Sequence, residues 1–419
     1  MGVAVSRLER SSQLQQGSPA GKPDAGQAHA FAGSFRKPIE QLTRSAPQLA
    51  DLARSFPALL FALATDYGAP SARQRTIRLV LEGAPLAEAA RALGLPLWLR
   101  RLPPAAFREP LVDVPASETF ASRARSLMPT GDLESRVWLW GLLYGARFCD
   151  EPFALWAAGW LGRSAHIFSL PYGEDTFRYL TAWGWASRHS SGALHRLVPR
   201  AWSSGAGLRR ALDDLSAWRL RIDLALCLGE RAGAGWARPG SCDGYDFVAL
   251  ESAEDFLAEA RVMSNCLDIY AAKLRLNRSS VYSMRRHREH VAVVEIGPHP
   301  DDPRVPALLQ LRGPRNRRLD PDVWQACYLW LATHQSSRER PRLTPTPSRG
   351  RATASALWHD YLEWQAARGG DARFRQLVLG LPRVSRTARR PGRRSQTVRA
   401  RASKAAVGAQ VSSEGSSAL

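Results

Sequence analysis

The feature that most constrains this chain is a change in hydrophobic period near residue 236. Before it, apolar residues recur at helical spacing; after it they alternate in short runs. Ile39, Leu42, Leu49, Leu52 and Phe56 form one stripe with the i, i+3, i+4 recurrence of an amphipathic helix, with Pro57 set to kink it. Further helices are expected at 73–82, 86–93, 116–127, 133–148, 176–188 and 208–228. The run at 138–148 is apolar nearly all round, which predicts a buried helix that tolerates its glycines. Beyond 236 the pattern predicts a strand at 247–250 and a helix from Ala253 to Leu276. Ser252 and Asp255 cap that helix in the manner of a capping box. Three strands come next, at 281–285, 291–296 and 308–312, joined by loops short enough for hairpins. A last helix starts after Leu319, with Asp320 as N-cap and Pro321 at its first position.

The fold class predicted is therefore α+β. A large all-helical N-terminal domain (35–235) precedes a small module (236–337) with a three- or four-stranded, mostly antiparallel sheet flanked by helices. Residues 1–34 are polar and without periodicity, and read as a disordered leader. Residues 338–419 read as a basic, mostly disordered tail with one further helix at 354–368. The stretch LAEAARALGLPLWLRRL (86–102) bears a faint, loose likeness to a helix-turn-helix, but an ordinary helical hairpin is the favoured reading.

Charge narrows the partners. The formal net charge is +20, and 54 of the 58 basic residues are Arg, the pattern of a GC-rich coding genome. From Arg338 onward there are 17 basic and 5 acidic residues, so the tail holds +12 of the +20. Nine of these, Arg383, Arg386, Arg389, Arg390, Arg393, Arg394, Arg399, Arg401 and Lys404, stand in a segment with no acidic residue. Such a segment neutralises DNA or RNA phosphates without sequence preference, or serves only to solubilise. Cys149, Cys227, Cys242, Cys266 and Cys327 form no C-x-x-C pair and are odd in number. That speaks against a disulfide framework or zinc ribbon and fits a reducing, cytoplasmic location. No uncharged apolar run reaches the ~18 residues of a spanning helix, so no membrane partner is expected.

The chemistry-bearing residues concentrate in 261–318. Met263, Asn265, Cys266, Leu267 and Tyr270 form an M-x-N-C-L-x-x-Y motif on the predicted helix, whose i, i+3, i+4 face makes Cys266 a small buried hydrophobe and the motif structural. Two-residue alternation places Ser283 with Arg285 on the first strand and Gln310 with Arg312 on the third, with Glu295 ending the second and Asn316 just beyond. Sequential antiparallel pairing would gather these six. The group suits a phosphate or base edge. It suits equally a structural salt-bridge network in which Glu295 sits between two arginines. His287 and His290 fall in a hairpin loop and read as solvated; no metal or cofactor is expected. The run RGPRNRR (312–318) lacks the spacing of a phosphate-binding P-loop.

Three further pieces accompany the helix motif: VYSMR (281–285), AVVEI (292–296) and LQLRGPRN (309–316). Together they resemble the PcfJ-like family, met chiefly as an open reading frame of conjugative plasmids and other mobile DNA. Members often carry His before the Cys; here the position is Asn265, so the resemblance brings no Cys–His pair. It implies an accessory protein of a mobile element, with other mobile-element proteins as partners, and carries no settled reaction. With the charge it points to a non-enzymatic nucleic-acid contact protein. The alternatives are an enzyme of unknown reaction on a phosphorylated or nucleotide substrate, using Arg285, Glu295, Gln310 and Arg312, and a protein-interaction scaffold.

Overall fold

The computed structural model describes residues 30–230, 235–275, 278–335 and 347–380. The basic segment 383–404 and nearly all of the expected leader lie outside them. Residues 30–34 do not: Phe31 is buried and stacks on Phe61.

The predicted stripe at 39–56 is three helices rather than one kinked helix: Arg36–Ser45, Pro47–Ser55 and Pro57–Ala64. Pro47 and Pro57 each occupy a first helical position, where the missing N–H costs nothing. Ala46 between the first two is extended. The third helix is buried along nearly its whole length. Asp132–Phe148 and Glu151–Leu161 pack closely, because a Cβ at Gly141 would come within 2.5 Å of Leu161 Cδ1. Asp150 caps the second of these through Phe153 N at 2.8 Å.

The tryptophans are core. Trp138, Trp183, Trp218 and Trp358 are fully buried, and Trp98 and Trp218 donate to the carbonyls of Pro115 and Leu194. The fainter helix-turn-helix alternative at 86–102 does not form. Leu86–Leu93 ends at left-handed Gly94, and the next element is a five-residue 3-10 helix with Trp98 and Leu99 buried. Such an element offers no recognition helix.

The expected tail helix is longer and better anchored than its sequence suggests. Pro347–Ala366 and Ala372–Val378 return to the helical domain, where Trp358, Tyr361 and Phe374 join its core. The hydropathy of this stretch does not stand out, since only one face carries large aromatics.

The sheet has five strands, one more than the upper expectation: β1 (Gly240–Cys242), β2 (Tyr245–Ala249), β3 (Ser280–Arg286), β4 (Glu289–Pro298) and β5 (Pro306–Arg312). They pair antiparallel in sequence order. The missed strand, β1, is three residues long and joins β2 through Asp243 and Gly244, both at positive φ. His287 and Arg288, also at positive φ, turn β3 into β4.

The faces divide cleanly. Phe247, Tyr282, Met284, Val294 and Ile296 pack on Val323, Cys327 and Trp330 of helix Pro321–Gln335. Val281 and Val293, on the other face, pack on Phe256 and Met263 of helix Ala253–Met263 and on Leu224 and Cys227 of helix Leu208–Glu230. The long helix thus belongs to both parts of the molecule. No described helix is long and apolar enough to cross a membrane.

Candidate functional site

The predicted helix 253–276 is interrupted. Ser252 and Asp255 form the full capping box at its start, but Ser264 adopts φ 50, ψ 50 and ends the α-helix at Met263. A short 3-10 turn (Leu267–Ile269) and the helix Ala271–Arg275 come after it. The break overturns the buried reading of Cys266. A continuous helix would have turned it toward the sheet beside Met263; past the break it is exposed and free. Cys149, Cys227 and Cys327 are buried, and burial pushes the Cys327 thiol up to about 12. Cys266 is therefore expected to react first with a thiol-specific dye in the native protein, with these three reacting only on unfolding. Peptide mapping after timed labelling checks this order.

Antiparallel register brings together part of the predicted cluster and divides the rest. Glu295 lies opposite Gln310, and Val293 opposite Arg312. Ser283 also pairs with Val293, and Arg285 with His290 across a bulge. All share one face, but helix Ala253–Met263 covers one end of it.

Under that cover Ser283 is fully buried. Its Oγ accepts from Arg285 Nε at 3.0 Å and lies 3.3 Å from His290 Nδ1. The same Nδ1 is 2.7 Å from Glu259 Oε2, and Glu259 is itself 1% exposed. His290 is thus no solvated loop residue. The carboxylate, imidazole and hydroxyl do not form a catalytic relay, which needs the acid and the hydroxyl on different ring nitrogens. This end of the cluster is structural.

The other end opens into a cleft of about 600 Å³, lined by Asn265, Cys266, Tyr270, Lys273, Glu295, Gln310, Arg312 and Asn316 together with Leu267, Ile269 and Val293. Glu295, 2% exposed, forms its floor. The expected network of Glu295 between two arginines is not what forms. Lys273 Nζ reaches both Glu295 oxygens, at 3.1 and 3.0 Å, and the Tyr270 hydroxyl donates to Oε2 at 2.9 Å. A buried carboxylate requires such compensation. Tyr270 OH also lies 3.4 Å from Gln310 Oε1, and the Lys273 ammonium sits 4.6 Å from the Tyr270 ring centroid. Burial first, then the Glu295 charge and the hydrogen bond to it, raise the Tyr270 pKa. Tyr270 therefore remains a proton donor over the physiological range.

Pairing inside the floor leaves Arg312 over. It is exposed and makes no ion pair with a described residue. Gly313 to Arg317 fold the chain back on itself, Gly313 N donating to the Arg317 carbonyl and Asn316 N to the Gly313 carbonyl. Arg315 and Asn316 both take positive φ, at 55° and 59°. Asn tolerates that region well; Arg does so at a cost of about 1–2 kcal/mol. Arg312, Arg315, Asn316, Arg317 and Arg318 are all exposed. Asn265 Oδ1 is a buried atom with no hydrogen-bond partner among the described residues.

Sequence reasoning missed Lys273 and Glu259. Lys273 carried one usable signal, its place three residues after Tyr270 on the same helical side. Glu259 carried none, because its partner His290 stands 31 residues away. Among the described residues, no three His, Cys, Asp or Glu side chains are grouped to hold a metal ion. Comparison with protein-family models, with curated proteins and with solved structures returns no match, so the cleft itself carries the functional argument.

Proposed function

We propose that this is a non-enzymatic accessory protein of a mobile genetic element, which contacts nucleic acid, DNA or RNA, in the cytoplasm. The contact surfaces are the arginine loop of the module and the basic segment 383–404. The observation that carries the reading is the set Arg312, Arg315, Arg317 and Arg318. All four are exposed within seven residues, Arg312 lining the cleft and the other three in the turn after it, and none forms an ion pair with a described residue. Unpaired guanidinium groups on one turn suit phosphates, which they bind through paired N–H donors. The motifs of residues 263–316 support the mobile-element part, and the odd cysteine count without a C-x-x-C pair supports the compartment.

The test is fluorescence anisotropy with a 30-nucleotide single strand over a salt series. Two full-length variants are compared with the native protein. One replaces the four loop arginines with Ala, and the other replaces the nine basic residues of 383–404 with Gln. At ~0.7 counterions per phosphate contact, the loop variant is expected to lower the log–log salt slope by about 3. A loop variant with the native slope would remove the module from the contact and leave only the basic segment.

A second reading, an enzyme on a phosphorylated or nucleotide substrate, is favoured by one observation: Glu295, Gln310 and Arg312 line an open cleft. It requires a proton acceptor there. Glu295 already accepts from Lys273 and Tyr270, and Tyr270 is held protonated.

A further inference from the structure

We propose that the cleft takes one unpaired nucleotide of a single-stranded nucleic acid, with Arg312 on its phosphate and the Asn265 and Gln310 amides on its base edge. This deepens the phosphate-contact reading above and rests on it.

The argument starts from the donor and acceptor inventory. The single proton of the Tyr270 hydroxyl goes to Glu295 Oε2, so its 3.4 Å approach does not satisfy Gln310 Oε1, and neither end of the Gln310 amide has a strong partner among the described residues. Asn265 Oδ1 is a buried acceptor that no described residue satisfies. An orphaned acceptor of this kind costs about 1–3 kcal/mol unless a ligand donates to it. The cleft therefore offers amide donors and acceptors together, the Gln310 amide and the Asn265 oxygen. That pairing complements the mixed donor and acceptor edge of a nucleobase, and a bare phosphate would leave Asn265 Oδ1 unmet.

Shape and polarity agree. A cleft of about 600 Å³ lies within the ~300–1,000 Å³ of pockets that accept small organic groups. Leu267, Ile269 and Val293 line it between the amides, and Ile269 is 54% exposed. An apolar wall left open to water suits the face of an aromatic ring. The charges also fit. Lys273 and Tyr270 compensate Glu295 inside the floor, so the charge left on the rim is that of Arg312. A base in a duplex presents its edge to its partner and its faces to its neighbours. Only an unpaired nucleotide can turn its base edge into the cleft.

Cys266 supplies the readout, because its exposed thiol lines the same cleft. Full-length protein is labelled with a maleimide dye alone, with a 12-nucleotide oligothymidylate or oligouridylate, or with a 12-base-pair duplex. The Cys266 peptide is quantified in each, and binding is followed in parallel by anisotropy. The single strands are expected to slow Cys266 labelling by about tenfold or more, and the duplex by less than about twofold, since a duplex base stays stacked. Asn265→Ala and Gln310→Ala are each expected to weaken single-strand protection by about tenfold, the size of one base-edge contact. Their unchanged unfolding midpoints would show that the fold is intact.

Equal protection by the duplex overturns the inference. So does single-strand binding that leaves Cys266 as reactive as in the free protein, although the loop contact then stands. Absence of binding to either probe overturns both the inference and the phosphate-contact reading.

Discussion

Replacing Asp371 with Ala is expected to lower the unfolding free energy by about 3–5 kcal/mol, the cost of removing one partner from a buried ion pair. Asp371 ends the turn after helix Pro347–Ala366, a turn made by Gly369 and Gly370 at positive φ. Its Oδ1 caps the last helix through Phe374 N at 3.0 Å. Its Oδ2 accepts from the Tyr144 hydroxyl at 2.7 Å and from Arg178 Nε at 3.0 Å. The side chains of Asp371 and Arg178 are each only 10% exposed. Burial works to lower the Arg178 pKa, but Asp371, then Tyr144 and Glu174, hold it above its ordinary value. Removing Asp371 leaves Arg178 with Glu174 and Asp175 at 3.3 and 3.7 Å, which offsets part of the loss.

Arg373 provides the contrast. It meets Asp175 through two bonds, at 3.1 and 2.6 Å, but its side chain is a third exposed. Solvent screening reduces Arg373→Ala to about 1 kcal/mol. Urea titration followed by tryptophan fluorescence measures both. Equal, small losses for the two variants would mean that the C-terminal helices are not anchored through Asp371.

Trp330→Ala is expected to cost about 3–5 kcal/mol through lost packing and the cavity left behind. Trp330 is 2% exposed and stacks nearly parallel on Phe247, with ring centroids 4.2 Å apart and planes inclined by 4°. Tyr282 meets it edge-on at 5.0 Å. Its Nε1 is buried without a hydrogen-bond partner, so the substitution breaks no hydrogen bond and the loss is one of contact alone. Trp330→Phe keeps an aromatic ring on Phe247 and is expected to lose roughly half as much. The effect should be local to the sheet. Amide exchange in β2, β3 and β4 is expected to accelerate, while the helix Asp132–Phe148 stays protected. Unchanged exchange in those strands would show that helix Pro321–Gln335 does not hold the sheet through Trp330.

These two positions also separate what can be read locally from what cannot. Helix Leu86–Leu93 matches its periodicity end to end. The capping box of Ser252 and Asp255 forms with both of its bonds. Glu295 and Gln310 stand opposite one another, as sequential antiparallel pairing requires. Each of these is set within a few residues, by hydrophobic period, side-chain capping or turn chemistry.

Expectation and structure part where distant groups decide. The pattern of 253–276 supports a continuous helix, yet Ser264 goes left-handed, exposing Cys266 and opening the cleft. The sequence offers a helix at 354–368 to fold back on the body but not its anchor, the bond of Tyr144 to Asp371 across 227 positions. Strand alternation pairs Glu295 with arginine on neighbouring strands, yet Lys273 reaches it from a helix 22 residues away.

By itself, then, the sequence determined the α+β class, the sequential antiparallel pairing of the longer strands, the capping of the module's first helix and the shared face of Glu295, Gln310 and Arg312. The tertiary structure alone decided which half of the polar cluster is sealed beneath helix Ala253–Met263 and which half opens as a cleft. The physical reason is that period and capping are local, whereas burial and charge pairing depend on which distant side chains arrive.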